Sequence, residues 1–414
     1  MLKRKRYAPV LVLLIVALIL TACGGNRLEV FPFWTGKDAR RFDTLANTFK
    51  VKHPTLQFVN LAAGIGPGVD DQFVLNTLLE AGDPPDSWNG FAGQSLIGQY
   101  AAGRQIQPLN DLYESEGWFD VLPRGLIPLI SQDGNIYSVP IDVHRTNLLW
   151  YNPAVLEANG VSVPATMNDW FLAMDAIQAA GITPLAIGDR ESHMVLLEVI
   201  LLSSLGLEKY TGLWKGSVNW GSEDVKTALD NYQKALTYAR DDSQATSWQD
   251  ATEHVSTGSA AFVVLGDWVH GYFRERGKAL GADYNWAVFP GTEGIFQFYA
   301  DSFVLAENTL NEKNALDWLA FLGSTEAQEV FNATADSICP RTDCNPLLFD
   351  EYAKASMSQW STDILTGSMT YGVFANDTWR AEIDAALAQF LQDNDLKNFQ
   401  SALVAACKNS GSCP

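Results

Sequence analysis

Basic residues are scarce in this chain. Its 414 residues include 28 Lys and Arg against 48 Asp and Glu, for a formal net charge of −20. Because phosphates would be repelled by an excess of acid this large, we expect no nucleic-acid partner. Hydrophobic residues make up 47% and charged residues 18%, a balance that argues against disorder for most of the chain and allows two or three domains with cores of their own.

Signatures of catalysis and of metal binding are also lacking. The sequence contains no phosphate-binding loop of the GxxxxGK type, no GxSxG nucleophile elbow and no HExxH segment. The five histidines show no spacing typical of metal ligands. We therefore expect a protein that is not an enzyme and that holds neither a metal nor another cofactor.

The longest apolar run lies at the N terminus. Four basic residues at positions 3–6 precede an apolar stretch from Tyr7 to Leu20, which is short for a membrane span and typical of a signal peptide. A small residue, Ala22, then precedes Cys23, as in a bacterial lipoprotein cleavage box. We expect residues 1–22 to be removed and Cys23 to carry lipid, so that residues 23–27 tether the chain outside the cytoplasmic membrane. An uncleaved anchor with an incidental cysteine is the alternative.

The four remaining cysteines occur as two close pairs in sequence. Cys339 and Cys344 flank one short polar segment, and Cys407 and Cys413 flank another. Outside the cytoplasm thiols are oxidised, and four cysteines allow three pairings. We favour the two local disulfides, each of which closes a loop worth about 2 kcal/mol. A site with four thiolate ligands is the alternative, although these spacings do not fit a zinc ribbon.

Strand-like and helix-like segments alternate along the rest of the chain. Leu28 to Phe33 is predicted to be a strand, and the spacing of Phe42, Leu45, Ala46 and Phe49 predicts an amphipathic helix after it. Thr166 and Asp169 have the spacing of a capping box at the start of another helix. This alternation predicts an α/β fold in which helices cover both faces of parallel or mixed sheets.

Several short segments follow one another in a characteristic order. They are Gly82-Asp83-Pro84-Pro85-Asp86, Pro140 with His144-Arg145, Pro164-Ala165-Thr166-Met167-Asn168-Asp169-Trp170, Ser247-Trp248-Gln249, Gly258-Ser259-Ala260-Ala261-Phe262, Gly266-Asp267-Trp268, Phe289-Pro290-Gly291-Thr292, Asp301-Ser302-Phe303 and the stretch from Ser337 to Asp343. Together with the cleavage box, they resemble the extracellular solute-binding proteins (family 1) of carbohydrate ABC transporters, and most closely the glucose- and mannose-binding subgroup.

The resemblance implies a two-lobed periplasmic-binding-protein-like fold of type II, with a ligand cleft between the lobes. It places three hinge crossings near residues 141, 303 and 352. The N-terminal lobe would comprise residues 28–141 and 304–352, and the C-terminal lobe residues 142–303 and 353–414. A protein of this kind is a monomer that captures a sugar and delivers it to permease subunits in the membrane.

The resemblance also indicates which residues contact the sugar. A pyranose needs aromatic rings against its C–H face and polar groups along its hydroxyl edge. Trp34, Trp248 and Trp268 match positions that face the cleft, and Phe33 precedes Trp34 where the first strand ends. His144 and Asp301 match polar positions. Asn89 stands where the subgroup carries a glutamine.

Three positions depart from the glucose-binding subgroup. Phe91 and Tyr371 stand where it has histidines, and Ala335 stands where it has a lysine. We still expect Phe91 and Tyr371 to contact the ligand. A site that is less polar and more aromatic suits another hexose, a deoxy sugar or a disaccharide.

Other interpretations remain open from the sequence. In the simplest alternative, the tryptophans pack in a core and do not contact a ligand. His144 would then be a buried histidine with its hydrogen bonds satisfied. Asp301 would pair with Arg145 or Arg341 at the hinge. A peptide receptor would share the signal peptide and the lobes. A glycoside hydrolase would need two carboxyl groups about 5 to 9 Å apart, for which Asp142 and Asp301 are the candidates.

Overall fold

A computed structural model describes residues 25–34, 36–64, 71–239 and 247–413. The cleavage box and Cys23 lie outside these residues, so the predictions about them are not addressed by the structure. No helix within the described ranges is both long enough and apolar enough to cross a bilayer.

The strands are mostly short. In chain order they are β1 Arg27–Phe31, β2 Gln57–Asn60, β3 Ser87–Phe91, β4 Ser131–Gln132, β5 Asn135–Ile136, β6 Val139–Pro140, β7 His144–Arg145, β8 Leu148–Tyr151, β9 Thr183–Ala186, β10 Ala260–Val264, β11 Asn285–Val288, β12 Ile295–Tyr299, β13 Asp301–Leu305 and β14 Ile364–Gly367.

Helices separate the strands along most of the chain. They are α1 Gly36–Lys52, α2 Asp71–Ala81, α3 Gln94–Leu96, α4 Asn110–Ser115, α5 Pro153–Ala158, α6 Met167–Ala179, α7 Arg190–Trp214, α8 Glu223–Leu236, α9 Trp248–Ser256, α10 Trp268–Glu275, α11 Glu312–Leu322, α12 Thr325–Asn332, α13 Glu351–Thr362, α14 Asp377–Asp393 and α15 Leu396–Asn409.

The first lobe is built on a five-stranded mixed sheet. Its strand order is β2-β1-β3-β13-β6, with β1 parallel to both β2 and β3 and with β13 antiparallel to β3 and β6. The apolar positions of α1 that the sequence pattern identified are buried over this sheet. The carboxyl ends of β1 and β3 therefore point to one edge, where α/β sheets hold ligands.

The second lobe contains two smaller sheets. One has the order β11-β8-β10-β9, and the other has the order β14-β12-β7. Helix α6 begins with the predicted capping box, in which Asp169 N–H donates to Thr166 Oγ1 over 3.1 Å and Thr166 N–H donates to Asp169 Oδ2 over 3.1 Å. These sheets and helices confirm the α/β class.

The sheet membership of the strands locates two passages of the chain between the lobes. Strands β6 and β7 belong to different lobes, so residues 141–143 form one crossing. Strands β12 and β13 also belong to different lobes, so the second crossing is at Ala300, three residues before the expected position. Asn345 N–H still donates to Glu329 of α12, whereas Tyr352 packs against Trp150 of the second lobe. The precise lobe limits remain a prediction.

Both predicted disulfides are present. Cys339 is bonded to Cys344, and Cys407 is bonded to Cys413. Cys339 and Cys407 are fully buried, and the first pair packs against Phe349. The alternative of four thiolates around one metal is therefore wrong.

Candidate functional site

A cavity of about 550 Å³ lies between the two lobes. Its wall contains all nine residues that the sequence analysis singled out as ligand contacts. They are Phe33, Trp34, Asn89, Phe91, His144, Trp248, Trp268, Asp301 and Tyr371. The structure thus brings together residues that are up to 338 positions apart in the sequence, although their contact with a ligand remains a prediction.

The first lobe supplies its aromatic rings from the end of β1. The Phe33 N–H donates to Asn89 Oδ1 over 2.7 Å, so the Asn89 side chain fixes the chain as it leaves β1. The Trp34 ring follows and stacks on Phe331 at 5.1 Å between ring centroids. Because Asn89 is buried and its oxygen is used by Phe33, its amide nitrogen is the atom left for other partners.

Strand register places the polar groups at the hinge. In the antiparallel pair of β13 and β3, Asp301 stands opposite Phe91. In the pair of β12 and β7, Tyr299 stands opposite His144. Since β13 begins two residues after Tyr299, both pairs lie at the crossing between the lobes. Asp301 is therefore part of the cavity wall from the first lobe and His144 from the second.

Each residue of the segment Gly266-Asp267-Trp268 has its own structural role. A Cβ atom at position 266 would lie 2.0 Å from the Trp268 ring, so only glycine lets the ring lie against the backbone there. Asp267 is fully buried, and its side chain accepts the Arg145 N–H over 3.0 Å. Trp268 begins α10 and presents its ring to the cavity.

Asp267 favours the imidazolium form of His144. Its Nδ1 lies 2.6 Å from Asp267 Oδ1. Burial lowers the pKa of His144, but the charge and hydrogen bond of Asp267, with the charges of Asp142 and Asp301, outweigh burial and raise the pKa to about 9. The ring also lines the cavity, with its other nitrogen 3.8 Å from Asp142 Oδ2, and its contact with a ligand stays a prediction.

Two carboxylates accompany this imidazolium. The Asp142 side chain accepts the backbone N–H of Asp301 over 2.8 Å. Ligand atoms of Asp142, His144 and Asp301 all lie within 4.8 Å of one another, a spacing that would fit a metal ion. Asp142 and Asp301 were paired from the sequence only as the carboxyl groups of the hydrolase alternative, and their grouping with His144 was not predicted. A metal ligand needs a deprotonated imidazole nitrogen, so an ion at this place would have to displace the proton that the raised pKa of His144 favours.

Arg145 and Arg341, which the sequence offered as alternative partners of Asp301, are paired with other residues in the structure. Arg341 binds Asp343 with two nitrogens, at 2.7 and 2.8 Å. Arg145 is fully buried and lies beside Asp363 at 3.5 Å. Both arginines therefore have other carboxylates as partners, and the Asp301 side chain faces the cavity.

Stacked rings form the second-lobe wall. Tyr299 is sandwiched between His144 and Tyr371, with ring centroids 4.8 and 4.2 Å away and interplanar angles of 17° and 27°. Phe91 meets Tyr371 edge-on at 5.7 Å from the first lobe. Phe91 and Tyr371 are the two residues that stand where the glucose-binding subgroup has histidines, and they touch each other across the cavity.

One glutamate binds Tyr371 and a second binds the segment before it. Its hydroxyl donates to Glu191 Oε1 over 2.5 Å. The fully buried Glu198 accepts hydrogen bonds from the segment that leads to Tyr371, namely from the Ser368 hydroxyl, the Met369 N–H and both the N–H and hydroxyl of Thr370. Burial raises the pKa of Glu198, and these bonds offset the cost of its buried charge.

Trp248 completes the ring set at the start of α9. Ser247 caps this helix through a capping box with Asp250, and the Trp248 ring packs edge-on against Tyr272 at 5.4 Å. Other tryptophans are core residues. Trp170 is fully buried against Phe289 at 5.0 Å between ring centroids and does not line the cavity.

Sequence reasoning missed several residues of the site. Tyr299 ends a strand that is apolar except at Gln297, so nothing in its neighbourhood distinguishes it from a core aromatic. Glu198 was detectable, because it is the one carboxylate within the apolar run from Met194 to Leu202 and such a residue needs buried partners. Arg380 and Asp377, which also line the cavity, begin a helix far along the chain and carry no local signal.

The chain is similar in sequence to known proteins. The family model described as bacterial extracellular solute-binding protein matches residues 38–329. An uncharacterized ABC transporter extracellular-binding protein of Pyrococcus horikoshii is 28% identical over 390 residues, covering 92% of this chain and 88% of its own. A "probable sugar-binding periplasmic protein" of Brucella suis is 28% identical over 396 residues, covering 92% of each chain.

Solved structures show the same fold. A chitin oligosaccharide binding protein superposes with a TM-score of 0.78 at 16% identity, over 94% of this chain and 99% of its own. The bacterial solute receptor AcbH, described as preferring β-D-galactopyranose exclusively, superposes with a TM-score of 0.76 at 19% identity, over 93% and 99%. These matches confirm the two-lobed fold. All four proteins are described as binding proteins or receptors, which confirms the expectation of a protein that is not an enzyme.

Proposed function

The chain belongs to the bacterial extracellular solute-binding proteins, and from that membership we propose that it captures a sugar outside the cytoplasm and delivers it to an ABC importer. The relatives and structures that resemble it include proteins named for sugars, among them the Brucella suis protein and AcbH. The ligand is a monosaccharide such as glucose or mannose, or a small oligosaccharide.

One observation carries this proposal. Three half-buried tryptophans and a group of charged hydrogen-bonding side chains converge on one cavity between the lobes. Trp34, Trp248 and Trp268 supply faces for the C–H side of a pyranose. Asp142 and Asp301 supply acceptors for hydroxyl protons, and charge-assisted bonds of this type are the stronger ones.

His144 supplies the complementary donor. Because the ring is protonated, its Nε2 can only donate, and it therefore selects a hydroxyl oxygen as the partner. A vicinal diol that binds Asp301 through one hydroxyl and His144 through the next uses both groups. Asn89 and Tyr371 would add further contacts from either lobe.

Binding and lobe closure are coupled in this proposal. Contacts come from both lobes, so the sugar binds a closed arrangement better than an open one and shifts the population toward it. Permease subunits in the membrane would recognise the closed form. A micromolar affinity corresponds to about −8 kcal/mol, and a hexose of about twelve heavy atoms would then contribute about −0.7 kcal/mol per atom, below the ceiling for small ligands.

We further propose that the mature protein is a monomer tethered by lipid on Cys23. The acidic body would lie at the outer face of the cytoplasmic membrane or in the periplasm. Labelled palmitate should be incorporated by the parent and not by Cys23→Ser. Lack of label in the parent would show that the tether is wrong without affecting the sugar proposal.

A ligand screen tests the sugar proposal. The thermal unfolding of the mature chain would be measured with a panel of mono- and disaccharides and with oligopeptides as the rival ligand class. A ligand present at one hundred times its Kd stabilises the folded protein by about 2.7 kcal/mol. We expect stabilisation by at least one sugar and by no peptide. Stabilisation by peptides alone would replace the sugar receptor with a peptide receptor.

A further inference from the structure

A second chamber of about 570 Å³ lies beside the cavity already described. It is bounded by the N-terminal parts of α7 and α14, which bring Arg190 and Asp384 to its wall. Five residues line both cavities, including Phe91, Tyr371 and Arg380. Because the walls are shared, the two spaces are parts of one groove, which we call the inner and the outer chamber.

The junction of the two chambers has the chemistry of a sugar contact. The Phe91 and Tyr371 rings meet there edge-on, 5.7 Å apart. The Arg380 guanidinium lies 6.0 Å from the centre of the Phe91 ring, and its Nη1 donates to Asp377 Oδ1 over 2.9 Å. A ring face, a fixed guanidinium and a carboxylate are thus available to a glycosidic linkage that passes between the chambers.

The outer chamber continues this pattern. Arg190 and Asp384 lie 3.6 Å apart across it, with side chains that are 48% and 44% exposed. Both groups remain hydrated, so a sugar hydroxyl can replace a water on either one without the cost of desolvating a buried charge. Met194 and the exposed Ala381 provide apolar surface on opposite helices.

We propose that the ligand is a disaccharide or a longer oligosaccharide whose first ring occupies the inner chamber and whose second ring occupies the outer one. This inference rests on the proposed sugar-receptor function and deepens it. A monosaccharide receptor would have no use for a second chamber of equal size that shares its aromatic wall and is lined by paired charges. Oligosaccharide length is therefore set by α7 and α14, and the tryptophans of the inner chamber hold the first ring.

Calorimetric titration of the mature chain with matched sugars tests this inference. The probes are glucose with maltose, galactose with lactose, and xylose with xylobiose. For the pair that binds, we expect the disaccharide to bind at least tenfold more tightly than its monosaccharide. Equal affinity, or binding of the monosaccharide alone, would overturn the inference and leave the sugar-receptor function standing. Failure of every sugar would overturn both.

Two matched variants show where the second ring lies. Ala381→Trp fills the outer chamber from an exposed position and should remove the tenfold advantage while leaving monosaccharide affinity unchanged. Ala385→Trp makes the same change one turn along α14, at another exposed alanine outside the chamber wall, and should change neither affinity. Arg190→Ala should weaken disaccharide binding at least threefold without affecting the monosaccharide. An unchanged disaccharide affinity in Ala381→Trp would contradict the assignment of the second ring.

Discussion

Replacement of Asp267 by Asn should convert His144 from an imidazolium to a neutral imidazole. The substitution keeps the size of the side chain and its hydrogen bond from the Arg145 N–H, which spans 3.0 Å. It removes the negative charge that lies 2.6 Å from His144 Nδ1. Burial lowers the pKa of this histidine, and Asp267 is the strongest of the groups that raise it, ahead of Asp142 and Asp301, so without Asp267 the pKa should fall from about 9 toward its ordinary value.

The consequence for charge is large. With a pKa of about 9, about 97% of His144 is protonated at pH 7.5, whereas with a pKa at or below about 6.5 no more than about a tenth is protonated. A hydrogen bond from a charged donor is worth about 1.5–3 kcal/mol and one between neutral groups about 0.5–1.5 kcal/mol. We therefore expect sugar affinity to fall about fivefold at pH 7.5, which corresponds to about 1 kcal/mol.

Two measurements check this expectation. The pKa of His144 can be followed by NMR titration of its ring protons, and the affinity by calorimetry at pH 5.5 and 7.5. The loss of affinity in Asp267→Asn should be smaller at pH 5.5, because protons then restore part of the positive charge. A loss caused by poor folding would not shrink as the pH falls.

A second His–Asp pair provides the control. His270 Nε2 lies 2.8 Å from Asp350 Oδ2 and does not line the cavity. Asp350→Asn should therefore leave sugar affinity unchanged at both pH values. The reasoning would be refuted by a parent His144 with a pKa below 7, or by an Asp267→Asn protein that binds sugar as tightly as the parent at pH 7.5.

Further predictions concern the aromatic wall, stability, metals and thiols. Trp268→Ala should weaken sugar binding by about 2–4 kcal/mol, as for a buried aromatic anchor. The control Trp170→Ala should lower the melting temperature and leave the affinity of the folded protein unchanged. If calorimetry shows weaker binding for Trp170→Ala and unchanged binding for Trp268→Ala, the site lies elsewhere. Folding raises the pKa of His144 from 6.5 to about 9, so His144 should contribute about 3 kcal/mol at most to the free energy of unfolding. This contribution should be complete below pH 6.5 and be lost as the pH rises through 9. Denaturant titrations that showed no decline in the free energy of unfolding across this range would refute the idea. EDTA should leave sugar affinity unchanged, and a loss reversed by Ca²⁺ would show a metal at Asp142 and Asp301. Cys339 and the other three paired cysteines should not react with a thiol reagent before reduction, and labelling of the native protein would contradict the disulfides.

Local structure could be predicted from the sequence because its causes are local. The apolar spacing from Phe42 to Phe49 defines α1, and the Thr166–Asp169 capping box defines the start of α6. Both disulfides close loops of a few residues, so proximity in sequence was enough to favour the correct pairing.

Long-range geometry could not be predicted in the same way. The pairing of Asp301 with Phe91 depends on the register of two strands about two hundred residues apart. The charge of His144 depends on Asp267, 123 residues along the chain. The nine candidate residues were named because they correspond to positions of a family whose fold is known, and no spacing within this chain would have grouped them.

A crystal structure of the mature chain with the best sugar from the panel tests the central claim most directly. The account predicts a pyranose in the inner chamber, with its C–H face against Trp268 and with hydroxyls within hydrogen-bonding distance of Asp301 and His144. A sugar bound outside this cavity, or a peptide in its place, would contradict the account.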